Sequence, residues 1–122
     1  MQRFARIILV LLGLQFILGM LANFYVEIPK VQYWIVFHHW GYVLTHALNG
    51  VLLLALAIVF MGQALRQKRL VGPAAGGLAS IFLAFVAGEI FVANGNDIWS
   101  LVMALGFLGA FASYLIASLA KT

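Results

Sequence analysis

Four long runs of apolar residues, separated by short polar stretches, dominate the pattern of the chain. Each run holds about 20 residues or more, enough for a helix to cross a hydrocarbon core of about 30 Å. Backbone groups in lipid must be hydrogen-bonded within their own segment, which favours helices over an open sheet. The pattern therefore predicts an all-α, integral membrane four-helix bundle forming one domain over residues 1–122. The predicted helices cover residues 4–24, 40–65, 70–93 and 98–120.

The basic residues lie at the ends of these runs and mostly on one side of the predicted bundle. Lys30 lies on one side, and the other six of the 7 basic residues lie on the side of the termini: Arg3, Arg6, Arg66, Lys68, Arg69 and Lys121. Cytoplasmic segments of membrane proteins carry an excess of Lys and Arg. We therefore predict a multi-pass protein of the cytoplasmic (inner) membrane with both termini in the cytoplasm.

The composition supports a bilayer as the main partner. Hydrophobic residues make up 66% of the chain and charged residues 8%, against about 25% charged residues in soluble proteins. The net charge of +4 lies at segment ends rather than in one patch, so we predict no nucleic-acid partner. The chain has no cysteine, which excludes disulfides and thiolate metal ligands.

Polar residues on the predicted second helix follow steps of three and four. Residues at that spacing share one helix face, and a polar stripe in lipid should face the bundle interior. His46 lies about 10 Å deeper than the interfacial His39, at about 1.5 Å per residue. The stripe consists of His39, Tyr42, His46, Asn49 and Gly50.

Two interpretations of His46 remain open. The first is a hydrogen bond between helices, to Asn23 or Glu89, of the kind that contributes about 0.6 kcal/mol on average. The second is axial ligation of haem iron. Met103 lies at a similar depth on the fourth helix, and a His–Met pair is an established haem ligation mode, although methionine more often fills a core.

Glu89 lies about one turn inside the third helix, where a carboxylate is costly. It is interpreted as a side chain paired with a neighbour, as a proton carrier, or as a group that orients His46 through its second nitrogen. Asp97 is predicted to cap the fourth helix, with Ser100 completing its first turn.

Small residues recur at every fourth position on the third and fourth helices. Such residues let two helix backbones approach closely, either within the bundle, which we favour, or in a homodimer. The two stripes are Gly72, Gly76, Ser80, Ala84 and Gly88, and Gly109, Ser113 and Ala117.

The stretch Gln15-Phe-Ile-Leu-Gly19 and the histidine that opens the second of four helices resemble one four-helix half of haem A synthase. The resemblance implies a haem held between the second and fourth helices. It makes His46, or otherwise His39, the ligand from the second helix. The fourth helix here has no histidine, which leaves Met103 as its candidate ligand and argues against synthase activity. The predicted haem b pocket consists of His46, Met103, His39, Asn49, Gly50 and Glu89.

Three functions follow as hypotheses. The first is a small cytochrome-like protein that binds one haem b near the outer face for electron transfer. The second is a non-catalytic accessory subunit of a larger respiratory or transport complex, and the third is a small proton-coupled transporter using Glu89. The sequence has no arrangement of nucleophile and base typical of an enzyme. A surface metal site at His38, His39 and Glu27 is a minor alternative.

Overall fold

The computed structural model describes residues 1–25 and 41–120. Within these residues the protein is all-helical, as predicted, and every helix end lies within two residues of its predicted position. Each helix is long and apolar enough to cross a membrane. The helices are α1 (Gln2–Tyr25), α2 (Gly41–Gln67), α3 (Val71–Asn94) and α4 (Asp97–Leu119).

The helices pack as a square in which each one contacts two neighbours. α1 and α3 both pack against α2 and α4. The side chain of Gln2 donates a hydrogen bond to the carbonyl of Ala120, so α1 begins where α4 ends. We call the half nearer Gln2 and the α2–α3 turn the basic half, and the half nearer Gly41 and the α3–α4 turn the His46 half.

The basic half contains the largest fully buried side chains. The rings of Phe4 and Phe60 meet edge to face with centroids 5.4 Å apart, and those of Phe60 and Tyr114 do so at 5.5 Å. Such geometry is favourable for aromatic pairs. Alanines with no exposed surface surround these rings. Large and small side chains together therefore fill the space between the helices in this half.

The small-residue stripes are used for contact between α3 and α4, which confirms the bundle interpretation. A Cβ added to Gly76 would lie 2.9 Å from the Oγ of Ser113, and one added to Gly109 would lie 2.6 Å from the Oγ of Ser80. Gly72 is an exception, because nothing lies within 4 Å of its added Cβ. The stripes therefore serve contact within the bundle, and the homodimer stays a prediction.

The N-cap of α4, at the α3–α4 turn, is not the residue that the sequence predicted. Gly95 takes a left-handed conformation (φ 69°) and donates its N–H to the Phe91 carbonyl at 2.7 Å, a conformation that glycine adopts without steric cost. Asn96, not Asp97, is the N-cap of α4, and its Oδ1 accepts the Ile98 N–H at 3.1 Å. Asp97 lies in the first turn, where its charge complements the helix dipole.

Large apolar side chains cover the outside of all four helices. Val10 is 72% exposed, Leu48 61%, Phe82 57% and Leu108 60%. A water-soluble protein rarely exposes such continuous apolar surface. These faces are compatible with contact to a lipid bilayer.

Candidate functional site

A polar cluster joins α1 and α2 in the His46 half. It consists of Gln15 on α1 and of His46 and Asn49 on α2, which we call the α1–α2 polar cluster. Asn49 is buried and His46 is half-buried. Because positions 46 and 49 lie three residues apart, both side chains project from one face of α2 toward α1.

The hydrogen bonds of Asn49 fix the orientation of the Gln15 amide. Asn49 Nδ2 lies 3.1 Å from the Leu11 carbonyl oxygen, which can only accept, and 2.9 Å from Gln15 Oε1. The amide nitrogen of Asn49 therefore donates to both oxygens. With its oxygen on Asn49, Gln15 directs its own amide nitrogen toward the ring of His46.

Both ring nitrogens of His46 face Gln15. Nε2 lies 3.4 Å from Gln15 Nε2, and Nδ1 lies 3.2 Å from the Gln15 carbonyl oxygen. The carbonyl requires a donor at Nδ1 and the amide nitrogen requires an acceptor at Nε2. The two contacts select the same neutral tautomer, with the proton on Nδ1 and the lone pair on Nε2.

Two glycines make room for this arrangement. A Cβ on Gly19 would lie 3.1 Å from His46 Cε1, and a Cβ on Gly50 would lie 3.1 Å from Gln15 Nε2. Both distances are tighter than ordinary packing, so larger residues would push the imidazole or the amide aside. Gly19 and Gln15 share a face of α1 because they lie four residues apart.

A cavity of about 300 Å³ lies beside the cluster, between all four helices. This volume is at the lower limit for small-molecule sites, which hold about 300–1,000 Å³. Most of its wall is apolar, including Phe85, Phe91 and Phe107, and polar groups come from Gln15, His46, Glu89 and Ser100. The wall on α1 also includes Phe16 and Met20, which are 52% and 39% exposed. The cavity thus combines an apolar volume with a few polar groups.

Met103 faces the same cavity from α4. It lies six residues after the start of its helix and His46 lies five residues after the start of α2, so both are about 8–9 Å from that end at about 1.5 Å per residue. A Cβ on Gly88 would lie 3.2 Å from the Met103 sulfur. The absence of a side chain at Gly88 therefore leaves the thioether space beside α3.

The structure brings most of the predicted pocket together. His46, Gly50, Glu89 and Met103 all line the cavity, whereas Asn49 is buried behind it and acts on Gln15. His39 lies outside the described residues, as do His38 and Glu27 of the minor metal site.

Two expectations about these side chains need correction. The bonded neighbour of His46 is Gln15 rather than Glu89, and the side chain of Asn23 lies outside the described part. Glu89 itself is exposed and lines the cavity. Tyr42 is 44% exposed, so among the described residues of the polar stripe those from His46 onward face the interior.

Sequence reasoning did not assign Gln15 and Gly19 to the site. The signal was present in their four-residue spacing, which places an amide and a gap on one helix face. Within residues 1–25 and 41–120, no three side chains of His, Asp or Glu come together as a metal site. Haem iron needs only one or two protein ligands, so the haem hypothesis does not depend on such a group.

Comparisons with family models, with curated proteins and with solved structures find no match to this chain. The resemblance to haem A synthase stays a prediction.

Proposed function

We propose that this chain is a multi-pass protein of the cytoplasmic membrane that binds one haem b at His46 and transfers electrons. Orientation is the first part of the proposal. Arg3, Arg6, Arg66 and Arg69 all lie at the basic end of the bundle. By the enrichment of basic residues in cytoplasmic segments, the basic end is cytoplasmic and the His46 half is near the outer face.

The hydrogen bonding of His46 is the observation that carries the haem proposal. Histidines that bind metals usually donate their other ring N–H to a carbonyl or carboxylate, which fixes the tautomer and orients the ring. His46 has this arrangement, with Nδ1 at 3.2 Å from the Gln15 carbonyl. Nε2 is then the nitrogen with a lone pair for iron.

The cavity supports the same proposal. Its apolar wall suits the faces of a porphyrin, and the exposed side chains of Phe16 and Met20 belong to its α1 wall. Met103 supplies a thioether on the opposite helix pair and is the candidate second ligand. A bound haem would supply one-electron redox chemistry, and a methionine ligand raises its reduction potential. His46 and Met103 would hold the group, and the apolar wall of the cavity would shield it from water.

The test is an absorption spectrum of the detergent-purified protein titrated with hemin, oxidised and then reduced with dithionite. We expect a Soret band and, on reduction, sharpened alpha and beta bands. His46→Ala should abolish them. Met103→Leu should retain haem but lower its midpoint potential, whereas the matched change Met61→Leu in the basic half should leave the potential unchanged.

Two outcomes would contradict the proposal. A protein that gives no Soret band with excess hemin does not bind haem, and the accessory-subunit and transporter hypotheses then come first. A band that survives His46→Ala but is lost in His39→Ala would move the ligand to His39.

A further inference from the structure

Gln15 contacts His46 twice, through two different groups. Its main-chain carbonyl oxygen lies 3.2 Å from Nδ1 and its side-chain Nε2 lies 3.4 Å from Nε2. Gln15 of α1 thus contacts both ring nitrogens of His46 on α2. Sequence position alone would not indicate this, because 31 residues separate the two.

We propose that Gln15 is the positioning residue for His46: its carbonyl holds the proton on Nδ1 and its side-chain amide covers the lone pair of Nε2. The carbonyl contact keeps the ring in the tautomer that has its lone pair on Nε2. The amide contact satisfies Nε2 when nothing else is bound to it. The two contacts have different consequences, since only the second depends on the Gln15 side chain.

Asn49 and Gly50 make the amide contact specific. Asn49 Nδ2 donates to Gln15 Oε1 at 2.9 Å, which prevents the amide from rotating its oxygen toward Nε2. Gly50 has no side chain. A Cβ at this position would lie 3.1 Å from the Gln15 amide nitrogen, so a larger residue would displace the amide. Asn49 and Gly50 therefore act on the amide of Gln15, and Gln15 acts on the imidazole.

The deciding measurement is nitrogen-15 NMR of the ligand-free protein labelled at histidine, in detergent micelles. His46 is identified as the signal that disappears in His46→Ala. We expect wild-type His46 to be protonated at Nδ1. In Gln15→Leu the proton should stay on Nδ1, because the carbonyl remains, while the Nε2 resonance moves toward that of a nitrogen without a hydrogen bond.

Gln63→Leu is the matched control, since it makes the same change on α2 in the basic half, away from His46. It should leave both nitrogen resonances of His46 in place. Wild-type protein protonated at Nε2, or a Gln15→Leu spectrum identical to wild type, would overturn the proposal. The wild-type measurement decides the tautomer even where a variant does not fold.

A hemin titration extends the test to the proposed function, on which this last step rests. Iron must displace the amide from Nε2, so removing it should tighten hemin binding about threefold, as expected for one modest hydrogen bond. Equal or weaker binding in Gln15→Leu would contradict the covering role. Wild-type protein that binds no hemin would contradict the haem proposal, while the NMR result alone would decide the role of Gln15.

Discussion

The two halves of the bundle are built from the same four helices and are filled in different ways. In the basic half, Phe4, Phe60 and Tyr114 interlock and fully buried alanines close the remaining space. In the His46 half, glycines stand where side chains would meet His46, Gln15 or Met103, and a cavity of about 300 Å³ remains. The basic half is tightly packed, whereas the His46 half retains a cavity.

This difference indicates how stability and chemistry are divided along the helices. In lipid, helices associate through close packing and hydrogen bonds rather than through the hydrophobic effect. The packed basic half therefore supplies most of the association. The His46 half can keep a cavity and buried polar groups, because Asn49 donates to Gln15 and Gln15 contacts both ring nitrogens of His46.

The largest loss of stability is expected for Phe60→Ala in the basic half. Phe60 is fully buried between two rings. Such truncations cost about 3–5 kcal/mol in soluble proteins. We expect about 3 kcal/mol here, because the unfolded chain in micelles also keeps its apolar groups from water.

Unfolding in mixed micelles of detergent and dodecyl sulfate, followed by circular dichroism, measures this change. Phe82→Ala is the matched control, since Phe82 is 57% exposed, and it should cost far less. Equal losses at the two positions would show that the basic half is not the packed part of the bundle.

Gly106→Ala should have the next largest effect, at the border between the halves. The added Cβ would lie 2.9 Å from the Ser80 carbonyl oxygen and 3.1 Å from the Ala84 nitrogen. These are backbone atoms of α3 and cannot turn away, so α3 and α4 must separate. Overpacking costs about 1–3 kcal/mol, and we expect about 2.

The control for this change is Gly62→Ala, where nothing lies within 4 Å of the added Cβ. It should be neutral or stabilise the helix by up to about 1 kcal/mol, the difference in helix propensity between the two residues. A Gly106→Ala protein as stable as Gly62→Ala would contradict the close approach of α3 to α4.

Tyr114→Phe should stabilise the protein by about 1 kcal/mol. The Tyr114 hydroxyl is buried and has no hydrogen-bond partner among the described residues, and a buried unsatisfied polar group costs about 1–3 kcal/mol. Phenylalanine keeps the ring contacts with Phe60 and removes that cost. A clear loss of stability in the same unfolding experiment would show that the hydroxyl has a partner, such as a buried water.

The fold could be predicted from the sequence because lipid leaves few choices. Four apolar runs of helical length can only form helices, and turns of two or three residues after α2 and α3 make neighbours antiparallel. The small-residue stripes also indicated where α3 meets α4. Capping was harder, since Asn96 and Asp97 both have a capping side chain and only the backbone geometry selects Asn96.

The candidate site could be predicted only in part. His46 was singled out because a histidine is unusual in an apolar pattern, and Met103 because it lies at a similar depth, and both line the cavity. The role of Gln15 depends on the register between α1 and α2, which sequence spacing within one helix does not give. Its carbonyl contact with His46 involves a main-chain group and leaves no residue-type signal at all.

The smallest effect on stability is expected for Gly19→Ala, which makes the same change as Gly106→Ala but against a side chain that can move rather than against backbone. The added Cβ would lie 3.1 Å from His46 Cε1 and 3.5 Å from Nδ1. The imidazole can shift by a few tenths of an ångström toward the cavity, so the net cost should be about 0.5 kcal/mol or less after the gain in helix propensity.

Gly13→Ala on the same helix, with nothing within 4 Å of its Cβ, is the control. The nitrogen resonances of His46 should move in Gly19→Ala and not in Gly13→Ala. A Gly19→Ala protein destabilised as much as Gly106→Ala would mean that the imidazole of His46 is held as rigidly as the backbone of α3, and the room that distinguishes the His46 half would not exist.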